Sequence, residues 1–88
     1  MTQSLSREEL LELAIGAVKE VSDEEIEITP ETSLLLDMGI DSLTMIRLDL
    51  ILQSRTGLSL SVDHLDKIDT VNDLVDTLLE HGKPVEDD

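Results

Sequence analysis

Eighty-eight residues suit one domain, since domains typically hold about 100–150. Forty percent are apolar, seventeen of them leucine, and none is Phe, Trp or Tyr, so any core is aliphatic and bases have no aromatic platform to stack on. The absence of cysteine excludes a disulfide scaffold, a Cys-based zinc site and a thiol nucleophile, and a net charge of −15 disfavours DNA, RNA or an anionic membrane as partner.

A basic protein surface is the natural partner for such a chain. No uninterrupted apolar run exceeds three residues, as in Leu34-Leu35-Leu36, too short to span a bilayer. Residues 1–5 show neither the basic nor the apolar region of a signal peptide, so a cytoplasmic location is expected.

The first predicted helix covers Arg7–Val21. Leu10, Leu13, Ala14, Ala17, Val18 and Val21 recur at helical spacing, and Ser6 with Glu9 forms an S-x-x-E capping box. An acidic connection over residues 22–41 follows, with seven acids, no base, and Pro30 and Gly39 as punctuation. Loops of this length are usually functional or packed by their own side chains. Ile26, Ile28 and the leucine run are expected to tuck it against the helices.

The second helix is predicted over residues 42–56, with Asp41 as N-cap and Gly57 as stop. Its apolar residues fall on two arcs at about 100° per residue. Met45, Leu48 and Leu52 form one; Leu43, Ile46 and Leu50 form the other. Asp49 and Gln53 separate them on one side, Arg47 and Ser54 on the other. Two apolar arcs mean full burial or one face kept for a partner. Charge agrees: with two arginines against one aspartate, residues 42–57 carry +1, while every other stretch is acidic.

A short helix is predicted over residues 62–67, capped by Ser61. A last helix covers Val71–His81, with Thr70 as N-cap, a stripe of Val71, Leu74, Val75, Leu78 and Leu79, and Gly82 and Pro84 as its end. Residues 86–88 are expected to fray. No strand alternation is long enough to build a sheet. The fold class is therefore all-α: a small four-helix bundle of three main helices and a short third, with a long loop between the first two. It forms one domain over residues 1–88, ordered over about 6–81.

Ser42 sits at the first position of the second helix, where backbone N–H groups lack partners and the helix dipole favours an anion. A phosphate esterified there would find donors waiting. Asp-Ser at a helix start is equally ordinary capping chemistry. His64 and His81 have no second ligand at metal spacing, so no metal is expected. Nor does the Asp37–Asp41 stretch match a calcium loop, and an 88-residue helical chain offers little room for a serine hydrolase site.

Leu36-Asp37-Met38-Gly39-Ile40-Asp41-Ser42-Leu43 resembles the phosphopantetheine attachment motif of acyl carrier proteins, a D/E-x-G-x-D-S-L pattern. Thr44 and Thr56-Gly57-Leu58 resemble polyketide-type carriers, and Lys67-Ile68-Asp69-Thr70-Val71 resembles the region before the last helix of discrete carriers. The resemblance covers about residues 6–81. It implies a 4′-phosphopantetheine arm on Ser42, flanked by Asp41 and Leu43, installed from coenzyme A by a magnesium-dependent phosphopantetheinyl transferase. The arm would hold acyl groups as thioesters, and the chain itself would catalyse nothing. Leu43, Ile46, Arg47 and Leu50 would meet partners: ketosynthase, acyltransferase or ligase-type and tailoring enzymes. Leu48, Leu52, Leu65 and Ile68 would lie near a sheltered acyl chain. A monomer is expected.

Bacterial fatty-acid carriers usually have a strongly acidic second helix; here Arg47 and Arg55 occupy it, with Asp49 its only acid. This favours a dedicated partner set in polyketide or related natural-product assembly. Arg47 paired with Asp37 or Asp41 is the simpler alternative. The Val-Phe-Asp-His-Pro stretch of modular polyketide carriers is absent, which favours a freestanding carrier. A primary fatty-acid carrier and an aminoacyl or D-alanyl carrier share the motif. A different class, an acidic interaction module or nucleic-acid mimic, fits the charge without any role for Ser42.

Overall fold

The computed structural model describes residues 5–22 and 27–85. Ile26, residues 1–4 and residues 86–88 lie outside them, and with these the expectations of a tucked Ile26 and a frayed C-terminus. Four helices occur among the described residues: α1 (Arg7–Val21), α2 (Ser42–Thr56), α3 (Val62–Leu65) and α4 (Val71–His81).

Each helix starts on a side-chain cap. Ser6 and Glu9 close the predicted capping box on α1, with Glu9 N–H donating to Ser6 Oγ at 3.1 Å and Ser6 N–H to Glu9 Oε1 at 3.0 Å. Asp41 caps α2 and Ser61 caps α3. Thr70 caps α4, and Asp73 completes a second capping box that the sequence reading did not include. Gly57 ends α2 at φ +75°, a left-handed conformation that a side chain would strain.

The predicted apolar stripes form one core. Leu10, Ala14, Ala17 and Val18 from α1 meet Met45, Leu48 and Leu52 from α2 and Val71, Leu74, Val75 and Leu78 from α4. Leu13 and Val21, expected on the same α1 stripe, are only half-buried. Arg7 reaches across from α1 to Asp76 and Asn72 of α4, and Arg55 of α2 pairs with Glu20 of α1 at 2.7 Å.

Two expectations of secondary structure need correction. The third helix ends at Leu65, and residues 66–67 form a turn. A small sheet also exists: β1 (Leu58–Ser59) pairs antiparallel with β2 (Lys83–Pro84), Leu58 opposite Pro84 and Ser59 opposite Lys83. Strands this short carry no alternation for a sequence pattern to reveal.

The long connection packs by its own residues. Ile28, Leu34 and Ile40 are buried. Leu34 N–H donates to Asp69 C=O at 2.7 Å, Val71 N–H to Thr32 C=O at 3.2 Å, and Asn72 N–H to Pro30 C=O at 2.9 Å. Buried Ser33 donates from its hydroxyl to Asp69 Oδ1 at 2.7 Å. The loop is thereby strapped to the start of α4, and its far end delivers the chain to α2. Leu35 and Leu36, expected to be tucked in, are exposed instead, because the turn over residues 34–38 points them outward.

Candidate functional site

The loop feeds α2 through Gly39, whose φ of +65° suits glycine on conformational grounds alone, since nothing lies within 4 Å of a Cβ built there. Two residues later Asp41 adopts extended backbone and turns its carboxylate onto the helix start. Its Oδ1 accepts from Thr44 N–H at 2.9 Å. The Thr44 backbone amide, then its side chain, holds the Asp41 carboxyl below the usual aspartate range.

Ser42 is the first residue of α2 and is exposed. Its hydroxyl has no hydrogen-bond partner among the described residues. It stands at the mouth of a cavity of about 300 Å³ lined by Leu34, Leu35, Ile40, Asp41, Ser42, Met45, Leu65, Asp66 and Ile68. Leu65 and Ile68, assigned to a sheltering pocket from sequence, are on this wall. Leu48 and Leu52, assigned with them, are 1% and 0% exposed in the core and are not on it. Leu34, Ile40, Met45 and Asp66 were not assigned to a pocket. They come from the loop, α2 and the end of α3, pieces that are separate in sequence and meet only in the folded chain.

The two arcs of α2 separate as the periodicity requires. Met45, Leu48 and Leu52 are buried, whereas Leu43 (74% exposed), Leu50 (57%) and Ile46 (43%) face outward. Arg47 lies on the outward face, exposed. It makes no ion pair among the described residues. The two acids proposed to neutralise it are engaged elsewhere, Asp41 at Thr44 and Asp37 at Ser33 N–H at 2.9 Å. Arg55, in contrast, is held by Glu20.

Asp49 does more than divide the arcs. It is buried, accepting from Gln53 Nε2 at 2.9 Å and from Leu60 N–H at 3.3 Å, which ties α2 to the segment before α3. His64 and His81 stack at 4.3 Å with rings 13° apart, joining α3 to the end of α4. Among the described residues no group of three or more His, Asp or Glu side chains could hold a metal ion.

Among the described residues, then, a helical bundle places an exposed serine without a hydrogen-bond partner at a helix start, beside a cavity with an apolar floor and an exposed apolar face. Residues 8–78 match the family described as phosphopantetheine attachment site. The chain is 32% identical over 78 residues to an acyl carrier protein of Rubrobacter xylanophilus, covering 88% of this chain and 96% of that one. It is 35% identical over 75 residues to an acyl carrier protein of Coprothermobacter proteolyticus, covering 84% and 92%. The chain belongs to the acyl carrier protein family. Its prosthetic group is 4′-phosphopantetheine, and it is a non-catalytic carrier served by partner enzymes. The reading as an acidic module without a prosthetic group is set aside. Among the described residues no helix is long and apolar enough to cross a membrane.

Proposed function

We propose that Ser42 is the attachment residue and that the chain serves polyketide or related natural-product assembly. The observation that carries the attachment is the exposed Ser42 hydroxyl, without a hydrogen-bond partner among the described residues, at the first turn of α2 and beside the cavity. A phosphodiester there gains from the helix N-terminus, and Leu43 beside it is exposed for the enzyme that installs the group. When bound, the group supplies a thiol that this cysteine-free chain lacks, and with it a thioester linkage to the acyl cargo.

Leu43, Ile46, Arg47 and Leu50 form the partner-facing surface, to be met by the phosphopantetheinyl transferase and by ketosynthase, acyltransferase or ligase-type and tailoring enzymes. Arg47 supports the natural-product reading over primary fatty-acid synthesis. A cation on the outward face with no ion-pair partner among the described residues repels a basic docking patch and rewards a carboxylate. The chain acts as a single-domain monomer in the cytoplasm. Ser42→Ala tests the attachment: it abolishes acyl loading while circular dichroism and melting temperature stay at wild-type values. Loading that persists in the variant overturns the assignment.

A further inference from the structure

The cavity beside Ser42 is built from two kinds of residue. Leu34, Ile40, Met45, Leu65 and Ile68 form an apolar floor, each more than nine-tenths buried. Asp41 and Asp66 stand on the wall as exposed acids, and among the described residues no cation lines the cavity. Asp41 is committed to the cap of α2. Asp66 closes α3 through its backbone N–H, which donates to Val62 C=O at 3.0 Å. Its carboxylate has no hydrogen-bond or ion-pair partner among the described residues.

An aliphatic chain that enters this floor gains by leaving water. A carboxylate that enters loses hydration and passes two like charges. Both effects act in the same direction, so cargo sorts by its far end. We infer that Asp66, together with Asp41, makes the cavity selective: uncharged aliphatic acyl groups are sheltered, and acyl groups that end in a carboxylate stay in solvent. This selectivity rests on the reading of Ser42 as attachment residue. It means that a dicarboxylic half-thioester remains exposed to partner enzymes, whereas a plain chain of the same length is withdrawn.

The test compares butyryl and succinyl cargo, each with four carbons. Apo protein is loaded from the two acyl-coenzyme A donors by a broad-specificity phosphopantetheinyl transferase, with mass and peptide mapping to place the group. Methyl NMR of Ile40, Met45, Leu65 and Ile68 is then compared with the unacylated, arm-bearing protein at neutral pH. Butyryl is expected to shift these methyl signals, and succinyl to leave them in place. Asp66→Asn is expected to raise the inserted fraction of succinyl about two- to fivefold, the range open to a partly solvated charge pair. Asp66→Lys raises it further. Equal shifts from both cargoes, or no shift from either, overturn the selectivity. An unchanged difference in both Asp66 variants overturns the role of Asp66. A group that maps away from Ser42 overturns the attachment reading instead.

Discussion

Asp49 and Arg47 lie two positions apart on α2 and do opposite jobs. Asp49 is the buried acid, with its two oxygens used by Gln53 and Leu60. Asp49→Ala strands the Leu60 N–H, and the cost of an unsatisfied buried group is about 1–3 kcal/mol. Chemical denaturation is expected to show that loss, and a change within error would remove Asp49 from the fold's supports. Arg47 makes no ion pair or hydrogen bond among the described residues, so Arg47→Glu is expected to leave stability unchanged. Its effect belongs to docking. Affinity for the enzyme that loads the native cargo falls, and the salt dependence of that binding changes. Unaltered affinity would take Arg47 out of the interface. The sequence showed Arg47 as anomalous but gave Asp49 only a dividing role, because burial of a lone acid depends on a partner eleven residues away.

At the scale of elements, the caps set the acid response. Asp41 is held below its ordinary range by Thr44, and Glu9 by the Ser6 backbone and then its hydroxyl. A lowered folded-state value gives stability that is present above the ordinary carboxylate range and is lost as pH falls through it toward the lowered values. The starts of α1 and α2 are therefore expected to loosen below about pH 4. Amide exchange at Glu9 and Thr44 reads this directly, and protection that persists at lower pH contradicts it. Thr70→Ala removes the α4 cap at a cost of about 1 kcal/mol. The bounds of α1, α2 and α4 were legible because Ser6, Asp41 and Thr70 are cap residues followed by regular apolar spacing. The cavity was legible only in Leu65 and Ile68, since Leu34, Ile40 and Met45 join them from separate pieces of the chain, with the loop strapped near Ile68 by Ser33 and Asp69. The end of α3 was misjudged for the same reason: its four residues are set by tertiary packing more than by local pattern.

For the whole molecule, charge and size compete. The chain carries 21 acids against 6 bases in 88 residues, and acids that lie within a Debye length, about 8 Å at physiological salt, repel one another. Self-repulsion lowers stability at neutral pH. Sodium chloride or magnesium is expected to raise the melting temperature by several degrees, and a flat response would show that the acids are already well separated. The aliphatic core offsets this repulsion. Leu74 is fully buried at the α4 interface, and Leu74→Ala is expected to cost about 2–5 kcal/mol.

Attachment at Ser42 is tested most directly by intact-protein mass before and after incubation with coenzyme A, magnesium and a broad-specificity phosphopantetheinyl transferase. Attachment at Ser42 predicts a gain of one phosphopantetheine group in the wild type and none in a folded Ser42→Ala variant. The same gain in that variant, or no gain in folded, unmodified wild-type protein, would contradict it.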